Sequence, residues 1–299
     1  MVLSRRAFLK LCTGSAAALG LTPFHLDQLA HALNAPTGPT VLWLQGAGCT
    51  GCSISFLDFI SGTTPGDAGE VLIDVINLAY HPNLMASAGQ TATNAAKKAY
   101  KQGGYVLVVE GGVPTAFDGN ACWAWTDYNK DVTFESVVRQ YAADAAAIVC
   151  MGQCSSYGGI FAAPPNPTQV KSVKELTGLT TINVAGCPPH PAWLVSVIAK
   201  LVAGIPISLD AYGRPSDIYG SRIHDTCQLR NAPEAHEYGD DGGCMEELGC
   251  RGKQSQSRGN CPTQQFNNGV NFCTIAGAPC FGCTNPAFPG TNPFFEYGD

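Results

Sequence analysis

Val41-Leu-Trp-Leu-Gln-Gly-Ala-Gly-Cys-Thr-Gly-Cys-Ser53 is the stretch on which the reading of the fold turns. Residues 41–44 form a short apolar run of strand length, which stops at a glycine-rich turn before a helix-like segment at 53–60. The same alternation continues along the chain. Strands are predicted at 71–76, 105–109, 146–151 and 181–184, and helices at 91–101, 133–143 and 191–202. Strand and helix alternating at this spacing predict an α/β fold with a parallel sheet covered by helices on both faces, most simply a flavodoxin-like open sheet occupying residues 36–204. From about Gly204 the periodicity is lost. Residues 205–299 are rich in Gly, Pro, Asn and Cys, and so long a patternless segment needs an added staple to hold a structure. Seven cysteines and a histidine, His224, offer one. A small irregular domain is therefore expected after the sheet domain.

The 299 residues allow a large core, and a net charge of -6 with 17 Lys+Arg supplies no basic field, so nucleic acid is excluded as a partner. Ser4-Arg5-Arg6-Ala7-Phe8-Leu9-Lys10 precedes a weakly hydrophobic run over 11–24, the pattern of a twin-arginine export signal. Ala30-His31-Ala32 is a cleavage site, with a cut after Ala35 as the alternative, so residues 1–35 are read as a removed signal peptide and the protein as periplasmic. Proteins on this route fold before export, so their thiols need not become disulfides. No later stretch reaches the roughly 18 apolar residues of a membrane span.

Four cysteines fall just past predicted strand ends: Cys49 and Cys52 in the opening stretch, Cys154 in Gly152-Gln-Cys-Ser-Ser-Tyr-Gly-Gly159, and Cys187 in Gly186-Cys-Pro-Pro-His-Pro191. In an open parallel sheet all such ends face one crevice. Four thiolates suit a zinc ion or an iron–sulfur cluster. Their scatter over about 140 residues favours the cluster, since zinc ligands come mostly as two close pairs on one unit. A second set lies in Ile223-His-Asp-Thr-Cys227 and Gly243-Cys-Met-Glu-Glu-Leu-Gly-Cys250, giving His224, Cys227, Cys244 and Cys250 for a mixed cluster or a zinc site. A third comprises Cys261, Cys273, Cys280 and Cys283, with Phe266, Phe272 and Phe281 as shielding neighbours. Cys122 and Cys150 have no partner at ligand spacing and are read as structural thiols.

These motifs, together with Glu110-Gly-Gly-Val-Pro114, resemble the small subunit of periplasmic uptake-type nickel–iron hydrogenases, over essentially the whole chain. The resemblance implies a flavodoxin-like domain followed by an irregular cluster-binding domain. It implies a proximal 4Fe-4S cluster on Cys49, Cys52, Cys154 and Cys187, and a distal 4Fe-4S cluster on His224, Cys227, Cys244 and Cys250. It further implies a medial cluster on Cys261, Cys280 and Cys283. Most relatives carry proline where this chain has Cys273, and hold a 3Fe-4S medial cluster. The extra thiolate makes 4Fe-4S the expectation here, as in the nickel–iron–selenium branch. No catalytic residue is expected in this chain. Hydrogen is split or formed on a large-subunit partner, and this chain passes the electrons on. With 16 residues after Cys283, the C-terminal anchor of some relatives is not expected, and a soluble periplasmic cytochrome c is the expected acceptor. Gly51 and Gly159 stand where oxygen-tolerant relatives add cysteines, so an ordinary proximal cubane is expected. Glu110 could reach the proximal crevice, as a proton carrier or merely as a capping or interface carboxylate. The rival readings are the single-cluster subunit of respiratory NADH dehydrogenase, a free-standing ferredoxin-type carrier, and a disulfide-stapled scaffold.

Overall fold

The computed structural model describes residues 38–238 and 242–290, so the export segment read at 1–35 lies outside the described residues. Five strands form one parallel sheet: β1 (Thr40–Gln45), β2 (Asn77–Tyr80), β3 (Val106–Glu110), β4 (Ala147–Met151) and β5 (Ile182–Val184). Their order across the sheet is β2-β1-β3-β4-β5. This is the flavodoxin-type order, in which the direction of winding reverses between β1 and β3. All five residues of the central strand β3 are buried, as a strand covered on both faces requires.

Alternate side chains serve opposite cores. Val41, Trp43, Val108, Met151 and Val184 face a core with Phe56, Trp193, Leu194 and Val197, so the helices Gly51–Leu57 and Pro191–Val202 cover that side. Leu42, Leu44, Leu107, Val109 and Ile148 face the other, under Gly89–Gln102 and Phe134–Ala143. Local chemistry fixes where these helices begin. The Thr133 side chain accepts from the Ser136 amide, and Pro191 takes the first turn of its helix behind His190, whose side chain accepts from the Ala192 amide. Cys150, read as structural, is fully buried in the second core.

The strand expected at 71–76 is absent. Ala68–Glu70 is helical and runs on into a wider turn, Val71–Val75, and the second strand follows at β2. Asp67 caps this helix by accepting from the Glu70 amide, and Val71 and Val75, one turn apart, are buried while Ile73 is 80% exposed. The apolar run was thus helical in period despite its β-branched residues. A hairpin the sequence did not announce, Trp123–Asp127 with Lys130–Thr133, turns at Tyr128 and Asn129, both with positive φ, and packs Trp125 edge-on against Tyr80 and Tyr141.

After Val202 the described residues carry only short turns, such as Ile223–Thr226, Arg251–Lys253 and Cys261–Gln264. Side chains tie this segment to the sheet domain. Tyr219 donates to the Ala185 carbonyl at 2.8 Å, Gln153 to that of Asn285 at 2.7 Å, and His190 Nε2 lies 2.7 Å from that of Gln265. A small apolar group of Ala235, Met245 and Leu248 packs beside Cys250.

The helical turn over 71–75 separates two substitutions that a strand would have made equivalent. Val75→Ala should cost about 1–3 kcal/mol and Ile73→Ala less than about 0.5 kcal/mol in thermal or denaturant unfolding of the assembled protein. Equal losses would restore the strand reading.

Candidate functional site

Register brings the carboxyl ends of the strands level: Gln45 pairs with Glu110, Glu110 with Met151, and Met151 with Val184. The chain leaving β1 therefore delivers Cys49 and Cys52, that leaving β4 delivers Cys154, and that leaving β5 delivers Cys187, all at one edge beside the reversal between β1 and β3. The four sulfurs are close enough for their charges to act on one another. Burial pushes the Cys154 thiol up to about 12, with Cys187 and Cys49 adding to it. Burial likewise raises Cys52, helped by Glu110, Cys154, Cys187 and Cys49. Close backbone approach needs glycine at two points. At Gly152, φ 92°, a Cβ would come within 2.3 Å of the Cys52 Sγ, and at Gly159, φ 54°, within 3.1 Å of the Cys154 Sγ.

Glu110 is buried beneath this edge and holds the chain around Cys52. Its Oε1 accepts from the Ser53 amide at 3.2 Å, and its Oε2 accepts from Trp43 Nε1 at 3.0 Å and from the Ser53 hydroxyl. Ser53 Oγ lies 3.1 Å from Nε2 of the fully buried His81, whose Nδ1 accepts from the Asn83 amide at 3.1 Å. Burial lowers the His81 pKa to about 4, so the ring is neutral and Nε2 is the donor to Ser53. Sequence reasoning found Glu110 but not His81, a lone histidine beyond a strand with no motif around it.

In the second set, Cys244 is within reach of the charges of Cys250 and Cys227. His224 lies one helical turn before Cys227, and its charged neighbours are Lys253, Glu246, Asp225 and Arg230. Burial, then Lys253, lowers its pKa, which favours the neutral imidazole that can bind a metal. The third set is more deeply placed. Cys261 is raised by burial and then by Cys283 and Cys273; Cys283 is pushed up to about 12 by burial and then by Cys273. Cys280 feels both Cys261 and Cys283, so Cys261 and Cys283 lie near both Cys273 and Cys280, and Cys273 also feels Cys250 of the second set.

Contacts also join the sets. The Cys283 sulfur feels both the backbone and the sulfur of Cys187, so the first and third sets lie near one another. Cys250 and Cys280 act on one another side chain to side chain, Cys250 being the readier of the pair to lose its proton, so the third and second sets are neighbours too.

Every cysteine among the described residues is a free thiol, which removes the disulfide-stapled scaffold. Among the same residues no three His, Cys, Asp or Glu side chains converge tightly enough for a single ion. Thiolates on one tetrahedral zinc stand about 3.8 Å apart, whereas each cysteine of a cluster binds a different iron. Thiol donors grouped in fours, with glycines where a Cβ would fill the space beside the sulfurs, fit iron–sulfur clusters.

Residues 49–201 match the family described as NADH ubiquinone oxidoreductase, 20 Kd subunit, and residues 219–296 match the C-terminal family of the NiFe/NiFeSe hydrogenase small subunit. The second match falls on the segment that holds His224 and all the cysteines of the second and third sets. The chain belongs to the nickel–iron hydrogenase small subunits. The periplasmic [NiFe] hydrogenase small subunit of Solidesulfovibrio fructosivorans is 40% identical over 99% of this chain and 93% of its own. The periplasmic [NiFeSe] hydrogenase small subunit of Desulfomicrobium baculatum is 36% identical over 99% of both. The crystal structure of a reduced, active Ni-Fe-Se hydrogenase from Desulfomicrobium baculatum superimposes with a TM-score of 0.80 at 35% identity, covering 88% of this chain and 100% of that one. As a hydrogenase small subunit, the chain is the electron-transferring part of an oxidoreductase, and the nickel–iron site belongs to a separate large subunit.

Gly152 offers a direct test of the first set. Gly152→Ala puts a methyl group against the Cys52 sulfur in a backbone conformation that alanine disfavours, so the iron bound per chain should fall. Unchanged iron content would show that Cys52 is not held where described.

Proposed function

We propose that the twelve donors hold three iron–sulfur clusters in a row: proximal on Cys49, Cys52, Cys154 and Cys187, medial on Cys261, Cys273, Cys280 and Cys283, and distal on His224, Cys227, Cys244 and Cys250. The order is supported by the proximity of Cys283 to Cys187 and of Cys280 to Cys250, which leads from the first set through the third to the second. When bound, such clusters supply one-electron redox steps. The protein's part is to hold them in line and to keep water from the middle one, whose ligands Cys280 and Cys283 are deeply enclosed. Residues 36–204 act as the proximal-cluster domain and 205–299 as the medial and distal one.

The proximal edge needs a cover. Cys49 and Cys187 are exposed, and Ile54, Leu57, Ile60, Ile160 and Phe161 stand exposed on the segments that follow Cys52 and Cys154. An apolar surface of this kind beside a redox centre is the seat for the large subunit. At the other end, His224 and its charged neighbours suit transient contact with a soluble carrier, here a periplasmic cytochrome c. Periplasmic location is supported by the names of relatives from Solidesulfovibrio fructosivorans and Nitratidesulfovibrio vulgaris and by the Arg5-Arg6 signal. No helix among the described residues is long and apolar enough to cross a membrane.

Co-expressed with its large subunit, the chain should copurify as a heterodimer that reduces dye with hydrogen, and alone it should show no hydrogen oxidation. Hydrogen oxidation by the isolated chain would overturn the division of labour.

Cys273 makes the medial cluster a cubane. The oxidised heterodimer should carry about 12 cluster irons and give no 3Fe-4S signal by electron paramagnetic resonance. Cys273→Pro should create that signal, and its presence in the intact, unmodified protein would show that Cys273 is not a ligand.

A further inference from the structure

Arg214 is 0% exposed. Its Nε donates to Asp210 Oδ2 at 2.8 Å, its Nη1 to the carbonyls of Gln256 at 2.8 Å and Thr284 at 2.9 Å, and its Nη2 to Gln256 Oε1 at 3.2 Å. The rings of Tyr212 and Tyr219 lie on its guanidinium at 5.2 and 5.4 Å. A guanidinium wholly out of water costs several kcal/mol unless negative charge answers it. Here the one carboxylate in contact, Asp210, is itself 24% exposed, and the other acceptors are neutral amides. Among the described residues the other buried cation is Lys200, which pairs with Asp217.

The third sulfur set lies beside this cation. Thr284, whose carbonyl Arg214 holds, follows Cys283 directly. Tyr219, on the guanidinium face, packs in the same core as Cys261. Burial raises its hydroxyl well above the ordinary range; Cys283 and Cys261 add to that rise and Arg214 opposes it. Arg214 is thus tied to the backbone next to Cys283 and lies over a ring that shares a core with Cys261.

Resting on the cluster assignment above, we propose that Arg214 is a positioning residue that raises the reduction potential of the medial cluster relative to its two neighbours. Reduction adds an electron to the centre, and a fixed positive charge nearby in a poorly screened interior favours the reduced form. Asp210 partly offsets that charge, so the two residues act with opposite sign.

Redox titration of the heterodimer, followed by electron paramagnetic resonance, tests this, the medial signal being the one that Cys273→Pro alters. Arg214→Gln should lower the medial potential by at least tenfold in the reduction equilibrium, about 59 mV for one electron, with the proximal and distal potentials unmoved. Arg214→Lys should restore most of it. Asp210→Asn keeps the turn's acceptor oxygen and should raise the same potential, and it decides the matter if Arg214→Gln does not assemble. A medial shift below tenfold in Arg214→Gln, an equal shift in all three centres, or a fall with Asp210→Asn overturns the inference. Fewer than three titrating centres in the unmodified heterodimer overturns the cluster assignment and this inference with it, whereas three centres with an unmoved medial one overturns this inference alone.

Discussion

Sulfurs brought together inside a protein cannot all be charged unless something positive lies among them. In this chain the rule is visible in the thiols themselves: burial, then mutual repulsion, holds Cys52, Cys154, Cys261 and Cys283 above the ordinary thiol range. Iron reverses the sign of that interaction, turning crowding into cohesion and releasing protons as it binds. The segment after Val202 depends on this reversal most. Its helical turns are three or four residues long, too short to be stable by themselves, and its apolar groups are few.

The sheet contributes what the irregular segment lacks, a rigid edge. Parallel pairing from β1 to β5 sets the strand ends level, so the proximal cysteines inherit positions fixed by backbone hydrogen bonds rather than by loops. From there order is exported outward. Gln153, His190 and Arg214 each reach the backbone of the irregular part at the carbonyl of a residue within four positions of a third-set cysteine, and Tyr219 reaches back to the Ala185 carbonyl of the sheet domain.

Much of this was legible in the sequence because the signals were redundant. Four of the five strands announced themselves as apolar runs ending in glycine, and the cysteines sat just beyond them. The second strand was missed because Val71, Ile73 and Val75 carry β-branched side chains at a spacing that also fits a helix turn, and only the Asp67 cap decides between them. The hairpin at Trp123–Asp127 was missed because its turn uses Tyr128 and Asn129 without a glycine. Partners such as His81 for Ser53, or Gln265 for His190, are set by tertiary approach across tens of residues, and no local pattern encodes them.

In the proposed arrangement the order of the sulfur sets along the chain differs from their order in space. The chain makes the first set, travels to the far one through Cys250, and only then returns with Cys261, Cys273, Cys280 and Cys283 to fill the gap. The middle link is thus the last to leave the ribosome. On that arrangement the donors that complete the row come last in the sequence, ending at Cys283. The proposed row is closed by a keystone, so a chain cut short before Cys261 would lack every donor of its middle link.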